Sequence, residues 1–183
     1  MFRIDLTKSI SHWDTSTKIK RGIWQFCLKP IFMLLPGYAN HARVFLLRVA
    51  GAKIGERCLI EKGVNILMPW NLELSPYVVI GRDVEIYNYA KVEIGSMTVI
   101  SQYSYLCTGT HDYKHPHMPL IWAPISIGSE CWVAADVFVG PGVRIGNGAV
   151  VGARSVVIGN VPEWTVAAGN PCKPLKDRII REL

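Results

Sequence analysis

The sequence predicts an all-β protein built as a parallel β-helix, a stack of triangular coils. Aliphatic residues recur every six positions along Ile127, Val133, Val139, Ile145, Val151 and Val157. A small or β-branched residue stands four places after each of them: Cys131, Val137, Val143, Ala149, Ser155 and Val161. The same period runs earlier through Ile54, Ile60, Ile66 and Leu72, again through Leu74, Ile80, Ile86 and Val92, and again through Ile94, Ile100 and Leu106. A repeat of six suits neither the 3.6-residue period of a helix nor a simple alternating strand. It does contain the strand period of two, so each hexapeptide reads as a short strand plus a corner, and three of them make one coil.

The elements follow in chain order. Residues 1–53 have helical character, are broken by Pro30 and Pro36, and offer Val44, Phe45, Leu47 and Val49 to cap the open end of the solenoid. Residues 54–171 are the coils, with the aliphatic position pointing inward and the small position filling the tight corner. The glycines directly after the aliphatic positions, such as Gly128 and Gly146, suit the backbone conformations that turns demand. Each two-residue offset between runs reads as a bulge or a widened corner. Residues 172–183 read as a short terminal helix with Leu175, Ile179 and Ile180 on one face.

Composition narrows the function classes. The chain has 183 residues, 50% of them hydrophobic and 19% charged, which is a globular composition with one main domain. The net charge of +6 admits nucleic acid, a membrane surface or small anionic ligands. The basic residues are scattered and no stripe of Arg and Lys alternates with aromatics, which argues against nucleic acid. Cys27, Cys58, Cys107, Cys131 and Cys172 form no C-x-x-C pair, so a disulfide framework or zinc site is disfavoured and a reducing, cytoplasmic compartment is implied. Cys58 and Cys131 fall on small positions of the repeat and read as core. The apolar stretch 23–35 is interrupted by Lys29 and Pro30 and is too short to span a bilayer, so it reads as a packed or surface-lying helix at the inner membrane face.

The period vanishes over residues 108–124, TGTHDYKHPHMPLIWAP, and a long excursion from a regular solenoid is where function concentrates. His111 is the candidate general base, because imidazole both takes and gives protons near neutral pH. His111, His115 and His117 have the spacing His-x3-His-x-His, which could hold a metal, although ordinary loop histidines explain it as well.

Four runs resemble the hexapeptide-repeat O-acetyltransferases, in particular the colanic-acid-biosynthesis type, which is akin to the nodulation, galactoside and maltose acetyltransferases. They are FLLRVAGAKIG at the entry to the coils, VISQYSYLCTGTHDY around His111, PISIGSECWVAADVFVGPGVRIGNGAVVGARSVV in the later coils and VAAGNPCKPLKDR at the close. The resemblance implies a left-handed β-helix, an exception to the right-handed crossover rule. It implies a homotrimer with active sites between subunits, acetyl-CoA as co-substrate and no required metal. His111 would deprotonate a sugar hydroxyl as it attacks the thioester, which leaves Cys107 a bystander. Asn88 and Trp132 match acceptor contacts. Trp132, Ala135, Ala153, Lys173 and Lys176 match positions along the bound coenzyme, the two lysines near its phosphates. Where relatives carry Thr-Lys, this chain has Ile158-Gly159, so one basic contact is missing. The acceptor classes implied are a sugar, a nucleotide sugar or a lipid-linked oligosaccharide of exopolysaccharide assembly, and the apolar N-terminal segment favours peripheral membrane association.

Two other functions suit a β-helix. A zinc lyase of the γ-carbonic-anhydrase kind needs histidines from neighbouring faces, whereas the His cluster here lies in one loop. A non-catalytic scaffold subunit would leave His111 and the AGNPCKP segment unexplained.

Overall fold

Each hexapeptide folds as one short strand and one corner, and the strands stack into three parallel sheets that form the faces of a triangular prism. The computed structural model describes residues 4–8 and 13–182. The first face stacks Lys53–Ile54, Leu72–Leu74, Val92–Ile94, Ile125–Ile127 and Arg144–Ile145. The second stacks Leu59–Ile60, Val79–Ile80, Val99–Ile100, Trp132–Val133, Val150–Val151 and Thr165–Ala168. The third stacks Asn65–Ile66, Glu85–Tyr87, Tyr105–Cys107, Phe138–Val139 and Val156–Val157.

The inward positions are those of the repeat. On the second face Ile60, Ile80, Ile100, Val133 and Val151 lie in register, one above another, and all are buried. Burying a side chain of this size is worth roughly 1.5–3 kcal/mol, so the stack is the main source of stability. The small positions, Cys131, Val137, Val143, Ala149, Ser155 and Val161, are buried as well.

The glycines after the aliphatic positions have a different cause from the one expected. A Cβ on Gly128 would stand 2.7 Å from the Asn147 nitrogen, and one on Gly146 2.5 Å from the Glu163 nitrogen. Close approach of the next coil demands glycine there. The left-handed turn conformation falls instead on ordinary residues such as Glu130, Asp136 and Arg154, with φ near +60°.

The offsets between runs are widened coils. Leu72 and Leu74 both point inward from one strand, so Ile54 pairs above Leu74 and Leu74 above Ile94, whereas in the later coils Ile127 pairs directly with Ile145. The extra residues fall at the edge between the third and first faces, where Pro69–Asn71 turns and Asn88 is buried. The excursion leaves from the same edge.

Helices α1 (Thr15–Ile23), α2 (Lys29–Leu34) and α3 (Asn40–Val49) close the first coil, with a π turn, Trp24–Leu28, joining the first two. The Asp14 carboxylate caps α1 by accepting from the Thr17 amide. Trp24, Phe32 and Leu47 are buried in the core cluster and Val44 packs against it, while Phe45 and Val49 face outward. The cap also protects the exposed edge of the first coil. Trp24 donates to the Ile66 carbonyl at 2.9 Å, Arg43 Nε to the Ile60 carbonyl at 2.7 Å, and Arg48 to that of Ile54.

The expected C-terminal helix is a strand. Lys173–Asp177 pairs antiparallel with Thr165–Ala168 at the far edge of the second face. An open sheet edge offers the segment backbone partners that an isolated short helix lacks. Leu175, Ile179 and Ile180 are exposed.

Candidate active site

The excursion folds as a hairpin. Gly109–His111 pairs antiparallel with Leu120–Trp122, and His111 lies opposite Leu120. The turn between them is held by its own backbone: Asp112 donates to the Pro119 carbonyl and Met118 to that of His115, both at 3.0 Å. The Asp112 carboxylate accepts from the Lys114 amide.

His111 is exposed, and its Nδ1 lies 2.7 Å from the Met118 carbonyl. A carbonyl only accepts, so Nδ1 carries the proton and Nε2 keeps a free lone pair. That is the tautomer a general base requires. His115 and His117 serve the turn: the His117 amide donates to His115 Nδ1, and His117 Nδ1 donates to the Asp5 carbonyl. Among the described residues no group of three His, Cys, Asp or Glu side chains is placed to hold a metal ion.

An N-terminal strap, described at residues 4–8 and again from Trp13, contacts this hairpin, a feature without any periodic signal in the sequence. The Asp5 amide donates to the Pro116 carbonyl at 2.9 Å. Trp13 stacks on Tyr89 at 5.3 Å and on Trp122 at 5.6 Å, with the Arg21 guanidinium 5.0 Å from its ring. The Tyr89 hydroxyl is 2.8 Å from that of Tyr87, and burial, then this hydrogen bond, push its pKa up to about 12. It therefore stays a neutral phenol.

Asn88, beside Tyr89, is fully buried. Its Oδ1 accepts from the Met68 amide at 2.9 Å and its Nδ2 donates to the Met68 carbonyl at 2.8 Å. Both amide atoms join one coil to the next, so the side chain expected to touch the acceptor is committed to the corner.

The residues expected to contact the coenzyme lie elsewhere. Trp132 is half-exposed on the second face and donates to the Ser101 hydroxyl at 3.0 Å. The register runs from Trp132 to Val150, Val166 and Lys176, which aligns the tryptophan with the terminal strand. Lys173, opposite Ala168, and Lys176 are both exposed. Ala135 and Ala153 stand on successive coils at the edge between the second and third faces, where the Ala135 carbonyl accepts from Arg154. Ile158 and Gly159 are exposed and supply no charge. A single chain thus carries His111 on one edge of the prism and Trp132, Ala135, Ala153, Lys173 and Lys176 on another face and edge.

A repeat of this length and register, with ordinary residues in its left-handed turns, is a hexapeptide solenoid. Residues 124–159 match the family model described as bacterial transferase hexapeptide (six repeats). The chain is 45% identical over 164 residues to the colanic acid biosynthesis acetyltransferase WcaF of Escherichia coli (strain K12), covering 90% of each protein. It shares its fold with a maltose O-acetyltransferase from Clostridium difficile 630, with a TM-score of 0.82, 25% identity, and 92% of this chain and 90% of that one covered. It also superposes on a hexapeptide-repeat acetyltransferase from Vibrio cholerae complexed with acetyl-CoA, with a TM-score of 0.84, 23% identity, and coverage of 93% and 94%. The chain belongs to the hexapeptide-repeat acetyltransferase family, and its solenoid is a left-handed β-helix.

Proposed function

We propose that this enzyme transfers the acetyl group of acetyl-CoA to a sugar hydroxyl, with His111 as general base. The carrying observation is the Met118 carbonyl on His111 Nδ1, which leaves Nε2 free to accept a proton. Nε2 takes the hydroxyl proton as the oxygen attacks the thioester carbonyl. The tetrahedral intermediate collapses, the carbon–sulfur bond breaks, and the departing thiolate recovers the proton from the imidazolium. The acetyl-CoA bound in the Vibrio cholerae protein supports the donor, and the names of the colanic acid and maltose enzymes support a sugar acceptor. Five unpaired cysteines support a reducing, cytoplasmic setting.

We further propose a closed trimer. The separation of His111 from Trp132, Ala135 and Ala153 on one chain supports a site completed by a neighbouring subunit. The outer row of the second face is apolar, with Leu59, Val99 and Trp132 exposed, whereas the first face carries Lys53, Glu73, Glu93 and Arg144. The test is thiol release from acetyl-CoA against a panel of sugars, nucleotide sugars and lipid-linked saccharides, with product mass read for one added acetyl group. No release with any acceptor overturns the reading. Light scattering should return three times the 20.4 kDa chain, and a strict monomer that still turns over would overturn the shared site.

A further inference from the structure

We propose that the helical cap is a docking face for an anionic lipid bilayer. Two independent observations converge on it. The first is charge. Residues 15–55 contain no Asp or Glu and seven Lys or Arg, so they carry +7 against +6 for the whole chain. Arg43 and Arg48 are spent on backbone carbonyls and Lys53 on Glu73, but Lys18 and Lys20 are exposed on either side of Ile19.

The second is an exposed apolar stripe. Ile19, Ile23, Phe26, Ile31 and Leu34 are 58%, 52%, 80%, 53% and 83% exposed. At about 100° per residue an unbroken α-helix would carry Ile31 and Leu34 off the line set by the first three. The π turn Trp24–Leu28 takes up one extra residue without its share of rotation, about 100°, and so brings them back onto it. Trp24 and Phe32, on another face of the same run, are buried in the core. The helices therefore present an inner face to the solenoid and an outer apolar stripe flanked by lysines.

No helix among the described residues is long and apolar enough to cross a membrane, so this run lies along an interface. The stripe enters the acyl boundary while Lys18 and Lys20 reach the headgroups. A second copy is a poor occupant, because two caps without acidic residues would meet with like charge. In the proposed trimer a rotation about the threefold axis keeps all three caps at one end, which multiplies the attachment.

The test is co-sedimentation with vesicles of phosphatidylglycerol in phosphatidylcholine. The protein is expected to pellet with them at low salt, to be released by high salt, and to bind pure phosphatidylcholine at least about tenfold more weakly. Phe26→Asp with Leu34→Asp should lose about tenfold or more in binding with an unchanged melting temperature and light-scattering mass. A Phe26→Trp protein covers the case in which that variant fails to fold: brominated phosphatidylglycerol should quench its fluorescence beyond that of the wild type. Absence of pelleting, equal binding to neutral vesicles, or a fall in oligomer mass in the Asp variant would overturn the proposal. The assay needs no acetyl-CoA, so failure of the acetyl-transfer reading leaves its outcome intact.

Discussion

The Nδ1 of His111 donates to the carbonyl of Met118, seven residues along the same hairpin. Met118 has a left-handed backbone, φ +41°, and its own amide is tied to His115. The proton of the imidazole is thus positioned by a backbone atom that side-chain substitution does not remove. The same turn is bonded to the strap, through Asp5 on Pro116 and His117.

His111→Ala should lose on the order of 10²–10⁴-fold in turnover, the range for a positioned general base. Oligomer mass and acetyl-CoA affinity should hold, since no described contact of the ring reaches the coenzyme positions. Near-full activity in His111→Ala would remove the base from the mechanism.

Trp13→Ala should act on the hairpin from a distance. Trp13 bridges Tyr89 and Trp122, and Trp122 lies opposite Gly109 in the strand that carries His111. Loss of the stack should let the base wander, with a fall in turnover of about tenfold, since a misplacement near 1 Å is costly. The KM for acetyl-CoA should stay unchanged. Steady-state kinetics that instead move the donor KM alone would refute this coupling.

Much of this molecule was legible in its residues because a solenoid writes its contacts locally. Val139 packs where its spacing says, above and below its equivalents on adjacent coils. The C-terminal strand was not legible, because an open sheet edge outweighs the helical pattern of three apolar residues. The strap was hidden for a different reason: Asp5 and His117 are 112 positions apart and share no period. Asn88 was read from the resemblance as an acceptor contact, and only the structure reveals its amide engaged by Met68.

Val139→Asp tests the core. The side chain is fully buried between Leu106 and Val157 in a narrow prism, with no basic partner in its row. An unpaired charge there should cost several kcal/mol, enough to unfold the domain or force its aggregation. A soluble variant with an unchanged melting temperature would contradict the inward stack.

Lys173→Ala with Lys176→Ala tests the donor side. Both ammonium groups are exposed on the terminal strand, in the sheet that carries Trp132. Contacts to phosphates remote from the reacting carbonyl contribute almost equally in ground and transition states. The KM for acetyl-CoA should rise on the order of tenfold while turnover stays nearly constant. Unchanged donor kinetics would take these lysines out of the site.

Cys107→Ser separates direct transfer from a covalent route. Cys107 ends its strand two residues before the hairpin that carries His111, is buried, and donates its thiol hydrogen to the Gly109 carbonyl at 3.2 Å. A thiol four residues before the base in the chain is the natural suspect for an acyl-enzyme. Serine keeps a donor for the Gly109 carbonyl and so should keep the hairpin in place, but it lacks the nucleophilicity of sulfur. If the sugar hydroxyl attacks the thioester directly, activity should stay within about threefold of wild type. If Cys107 carries the acetyl group, Cys107→Ser should abolish turnover with the fold intact. Mass spectrometry of wild type incubated with acetyl-CoA alone should then reveal a chain heavier by one acetyl group, whereas direct transfer leaves the chain mass unchanged.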